Sequence, residues 1–168
     1  MAKVNLEPYW EFFKAERWAD AEQFLRRQIE ACDPGDGELL VHLRQLLGST
    51  LAKLGRASEA TASFRSAVEA AQRQGQLVIA VARYMYAFQL LAAGDAGAAL
   101  KEAQAALPLY KPIEFHLQTV SAEALSQLGR HPEARVAALA AVAAAPTADE
   151  RENTRRHLAE LLGHNVSG

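Results

Sequence analysis

The chain has 168 residues, half of them hydrophobic and 23% charged, and carries a formal net charge of −2. A chain of this length buries roughly 70% of its unfolded surface as one domain, so neither a metal nor a disulfide is required, and the single cysteine, Cys32, excludes an internal disulfide. Lys and Arg are interleaved with Asp and Glu, which excludes the basic excess that direct binding of nucleic acid demands.

The first eight residues, Met1 to Pro8, meet a charge and a proline before any apolar run could make a signal peptide. Helices are expected over about 7–16, 18–32, 38–54, 57–73, 77–93, 96–107, 112–128, 132–144 and 148–162, from periodic apolar residues broken by widely spaced Gly and Pro. The first pair is the least regular: Tyr9-x-x-Phe12 opens it, Glu16 stands at its turn, and Ala21, Leu25 and Cys32-Asp33-Pro34 follow. Cys32 reads as a small apolar residue near a helix end. The linker Asp33-Pro-Gly-Asp-Gly37 lacks the third glycine and Lys-Ser/Thr of a phosphate loop and the spaced carboxylates of a calcium loop. The most apolar segment, Leu77 to Ala93, is interrupted by Arg83 and Gln89 and does not read as a membrane span. After the Leu107–Pro112 turn come two further helices, and then Thr147-Ala-Asp-Glu150, a capping box that opens a last helix ending at Gly163. Leu158, Leu161 and Leu162 form its apolar stripe, with Glu152 and Arg156 paired on the wet side. Asn165-Val166-Ser167 reads as a chance sequon in a disordered tail, 164–168.

Three segments align with one another: Leu51 to Ala60, Leu90 to Ala99 and Leu125 to Ala134. Each has Leu, then Gly four residues later, then Ala five residues after that; a small residue (Gly48, Ala87, Ala122) precedes the Leu by three. Beyond each Ala lie Phe64 and Ala67, Ala103 and Ala106, or Ala138 and Ala141. The small residue admits a close neighbour, Gly ends the first helix in a left-handed conformation, and Ala seats the second helix against the first. Each unit is thus an antiparallel helical hairpin, with glycines 39 and 35 residues apart.

These residues, with Pro146 as a closing proline and Phe64 in the second helix, resemble the tetratricopeptide repeat; Ala103 and Ala138 stand where that family usually has Phe. The resemblance implies an all-α, α-α superhelix of about four hairpins, in units of approximately 2–36, 37–75, 76–111 and 112–146, with a capping helix over 147–163, all in one domain spanning 1–168. It further implies that first helices line a concave groove, to which the packing slots leave Trp10, Phe13, His42, Gln45, Ser49, Tyr84, Met85, Phe88, His116, Thr119 and Glu123. Either this aromatic face is a binding surface, or Trp10, Tyr84 and Phe88 are ordinary core. The family's clamp for acidic C-termini uses Lys, Asn and Arg; Ser49, Phe88 and Glu123 occupy comparable places here, which favours a peptide with apolar anchors.

Catalysis finds little support. His42 with Ser49, and His116 with Glu123, are seven residues apart, roughly 10 Å along a helix, and His157-x-x-Glu160 is a lone pair on a solvated face, so neither a catalytic dyad nor a metal site is expected. The expectation is a cytoplasmic scaffold or adaptor for a protein or peptide, with no enzymatic activity, cofactor, nucleic acid or membrane insertion. Alternatives are a chaperone for an apolar or secreted client, or a homo-oligomerisation module in the form of a homodimer. Arg in excess of Lys and heavy Ala usage point to a GC-rich bacterial genome.

Overall fold

The computed structural model describes residues 4–33 and 35–163, so the expectations for Pro34, for the tail and for the side chains of Leu161 and Leu162 lie outside the described residues. Among those residues the secondary structure is helical throughout, with no strand. The chain divides into two compact units, Met1–Val78 and Ile79–Gly168.

The first unit contains α1 (Glu7–Lys14), α2 (Trp18–Ala31), α3 (Gly37–Lys53) and α4 (Ala57–Ala71), packed in succession, α1 on α2, α2 on α3 and α3 on α4. The division falls in the first turn of α5 (Gln76–Ala92). The second unit holds the remainder of α5, then α6 (Ala96–Ala106), α7 (Glu114–Gln127), α8 (His131–Ala144) and α9 (Ala148–Leu162). Within it α6 packs on α7, α7 on α8, and α9 against both. Each helix keeps within a few residues of its expected span. The start of α7 is preceded by a 3₁₀ turn over Lys111–Ile113, which falls inside the expected span.

One turn is built four times. Glu16, Gly55, Gly94 and Gly129 all have positive φ, between 55° and 83°. The next residue's N–H reaches back to Phe12, Leu51, Leu90 or Leu125 C=O, at 2.9 Å in every case. The N–H of the left-handed residue itself bonds to the carbonyl three residues earlier, which completes the double closure that satisfies a helix's last carbonyls. Glu16 carries the same backbone as the three glycines, a conformation that costs an L residue roughly 1–2 kcal/mol. The fourth residue of the following helix is a fully buried alanine, Ala21, Ala60, Ala99 or Ala134, whose N–H bonds to the C=O of the residue after the left-handed one.

The interface inside each hairpin is set by a complementary pair. A Cβ on Gly48 would lie 2.7 Å from Cε2 of Phe64, so the glycine exists to admit the ring. The corresponding pairs are Ala87 with Ala103 and Ala122 with Ala138, all fully buried, and, counting back from Glu16, Tyr9 with Leu25. In the α5–α6 and α7–α8 hairpins, where the second helix has Ala in place of Phe, the first helix has gained a methyl. In the first unit Tyr9 and Leu25 join Leu43, Leu47 and Leu51 in one core.

At the other end, Thr147 Oγ1 accepts from the Glu150 N–H while the Glu150 carboxylate accepts from the Thr147 N–H, and Gly163 closes α9 at φ 69°. Leu158 is fully buried. One detail differs from expectation: Glu152 pairs with Arg155 at 2.9 Å and not with Arg156. Residues three and four apart are both neighbours on a helix, and here the nearer arginine takes the carboxylate.

Candidate functional site

The sequence-derived surface residues divide between the two units. In the first, α1 presents Trp10, 43% exposed, with its ring edge-on to Tyr9 at 4.8 Å and 5.9 Å from Phe13. Phe13 is partly buried, because Trp18 of α2 packs edge-on against it at 5.0 Å. Offset and edge-to-face contacts of this kind hold aromatic rings in place even where one side is wet. On α3, His42 is exposed, and Gln45 and Ser49 are partly buried. Gln45 Nε2 is buried with no hydrogen-bond partner among the described residues, a donor left open on the α3 face that also carries His42.

The second unit brings its candidates closer together. Phe88 on α5 is 56% exposed, more than Trp10, while Tyr84 and Met85 are partly buried. The Tyr84 ring lies 5.3 Å from the ring of His116 on α7, which in turn touches Phe115 at 4.8 Å. Burial, and secondarily the negative charge of Glu123, push the Tyr84 phenol above its ordinary pKa. Thr119 donates its hydroxyl to the Phe115 carbonyl at 2.9 Å, a bond inside its own helix that leaves an oxygen lone pair as its remaining polar offer.

Glu123 is not free on this face. Its Oε1 lies 2.8 Å from His157 Nε2, so α9 reaches across to α7 through a side chain that the sequence places on a solvated face with Glu160. A clue was present, since Glu123 and His157 are 34 residues apart, about one repeat. Tyr84, His116 and Glu123 thus gather around the α5–α7 side of the second unit, with Phe88 one helical turn beyond Tyr84.

No group of three or more His, Cys, Asp or Glu residues that could hold a metal ion occurs among the described residues. No helix among them is long and apolar enough to cross a membrane. No family model matches the chain, and no curated protein matches it.

Proposed function

We propose that the hairpins form a tetratricopeptide-like stack and that the chain is a cytoplasmic adaptor, not an enzyme, gripping an apolar-anchored peptide through the face that carries Phe88. The observation that carries this reading is the exposure of Phe88 at 56%, on the helix that also carries the buried packing residues Ala87 and Leu90. A large aromatic side chain kept in water beside Tyr84 and His116 gains nothing for folding and is the kind of anchor that buried interface centres use. Polar groups of the same unit, His116 beside Tyr84 and Thr119 on the same helix, are suited to fixing register.

The test is a binding measurement paired with a stability measurement. Phe88→Ala, and the Tyr84/Phe88 double alanine variant, are expected to abolish capture of the bound partner, while Phe88→Ala leaves Tm within about 2 °C because truncating an exposed side chain changes stability by roughly 0.5 kcal/mol or less. Retained capture, or a collapse of Tm in Phe88→Ala, would show that the ring belongs to the fold and not to a ligand.

A second reading, self-association, rests on α8, where Val136 and Leu139 are 69% and 49% exposed and no charge occurs between Arg135 and Asp149. Light scattering at rising concentration separates the two readings, since a monomer throughout removes the second.

A further inference from the structure

A cleft lies on the other side of α3 from His42. Counting about 100° per residue, Arg44, Leu47 and Leu51 fall on the flank opposite His42, Gln45 and Ser49. They line a cleft of about 290 Å³ between α2, α3 and α4, with Ile29 and Ala62 completing its apolar wall and Arg26 at its edge. That volume, about 290 Å³, lies just below the roughly 300–1,000 Å³ of drug-sized ligand pockets and suits a smaller molecule.

Arg44 is the unusual group. It is partly buried, donates from Nη1 to the Ser66 carbonyl at 2.9 Å, and forms no ion pair among the described residues, although Glu69 lines a second cleft with it. The hydroxyl of Ser63 donates to Arg44's own carbonyl at 2.8 Å and so offers the guanidinium no charge. A guanidinium presents five donors in a planar fork that fits a carboxylate, and here one bond to a neutral carbonyl is made.

The same position in the other hairpins shows what is missing. Thirty-nine residues on, Arg83 occupies the place of Arg44 and Glu102 the place of Ser63, and the two form a partly buried ion pair. Seventy-four residues on, Gln118 replaces the arginine, and Ala137 and Ala140 replace Ser63 and Ser66; the cleft there is also about 290 Å³ but holds no cation. One hairpin therefore has both charges, one has neither, and α3–α4 has the arginine without its acid.

We propose that the α2–α3–α4 cleft binds a small amphipathic carboxylic acid, whose carboxylate takes on Arg44 the place that Glu102 takes on Arg83 and whose hydrocarbon tail lies along Ile29, Leu47 and Leu51. A carboxylate fits better than a phosphate monoester, because Glu59 also lines the cleft and a doubly charged head would face it at close range. Glu59 itself is engaged by Arg56, with Arg26 farther off at 3.7 Å, so it does not neutralise Arg44.

The test is titration of the full chain, isotopically labelled, with octanoate, octyl phosphate and octanol, followed by NMR shifts and calorimetry. Octanoate is expected to shift resonances of Leu47, Leu51 and Ser63, and Arg44→Gln to weaken it at least about tenfold while leaving octanol unchanged, since hydrogen bonds to charged groups are the stronger ones. Ser63→Glu, which supplies the acid from within as Glu102 does, is expected to abolish octanoate binding. Should Arg44→Gln misfold, Ala62→Trp, at an exposed position on the rim, fills the cleft and must have the same effect. Absence of octanoate binding to the wild-type chain, binding that survives Ser63→Glu, or tighter binding of octyl phosphate than of octanoate overturns the proposal. The Tyr84/Phe88 double alanine variant should bind octanoate as the wild type does, so the fate of this site and that of the peptide-binding face are read separately.

Discussion

The α3–α4 and α7–α8 hairpins share one skeleton and differ in what fills it. Both turn on a glycine at φ near +73°, and both seat a fully buried alanine five residues later. Inside, however, the first pairs Gly48 with Phe64 and the second pairs Ala122 with Ala138. On its flank the first holds an arginine and two serines, where the second has a glutamine and two alanines. The turn and the seating alanine are fixed by backbone geometry, which admits few residues; the interface needs only a conserved sum of volumes, and the flank is free to differ. Chemistry is therefore to be sought in the flank and on the exposed face, and not in the residues that make the hairpins alike.

Substitutions that convert one hairpin towards the other sharpen this contrast. The largest effect is expected from Phe64→Ala, which empties the space that Gly48 was shaped to admit and should cost about 3–5 kcal/mol in denaturant unfolding. Next come Gly55→Ala and Gly129→Ala. An added Cβ meets nothing within 4 Å at either position, so the loss, about 1–2 kcal/mol, measures backbone strain alone and should be alike in the two hairpins. Unequal losses would break the equivalence of the turns. Glu16→Gly reverses the experiment in the hairpin that lacks the glycine and should stabilise by about 0.5–1 kcal/mol, the relieved strain being partly offset by a freer unfolded chain.

The smallest effect is expected from alkali. Burial raises the phenols of Tyr9 in the first unit and Tyr84 in the second above the ordinary value of 10.0, a hydrogen bond with Thr50 offsetting part of the effect on Tyr9. A raised acid binds its proton more tightly when folded, so this stability is complete below about pH 10 and declines as pH climbs through the folded values. Stability measured from pH 8 to 11 should fall only at the top of the range, and less steeply in Tyr84→Phe. A fall that sets in near neutral pH would assign the loss to other groups.

The hairpins were legible in the sequence because each of their rules acts over a few residues. The Leu-Gly-Ala spacing, the capping box at Thr147 and the left-handed role of Glu16 all follow from local backbone needs. The volume exchange between Gly48–Phe64 and Ala122–Ala138 was visible as two separate substitutions, and their coupling emerges only when the helices face each other. Side-chain partners were less legible for the same reason. His157 was assigned to a surface with Glu160 because those two share a helix, yet α9 packs on α7 and delivers it to Glu123. Nothing in the sequence sets Arg44 apart until its counterpart Arg83 is seen to own a carboxylate. Counting from the packing slots puts Phe88 among the surface candidates, and its exposure follows from its position next to the fully buried Ala87.

The equivalence of the hairpins is tested most directly by a double-mutant cycle at Gly48 and Phe64, followed by chemical denaturation. Gly48→Ala alone drives a methyl into the ring and should cost about 1–3 kcal/mol. If the pair is a single packing unit that α7–α8 fills with two alanines, the double variant Gly48→Ala/Phe64→Ala should be more stable than the sum of the single losses implies, by at least about 1 kcal/mol. Additive losses, agreeing within about 0.5 kcal/mol, would mean that the two side chains do not meet and that the four hairpins are not versions of one structure.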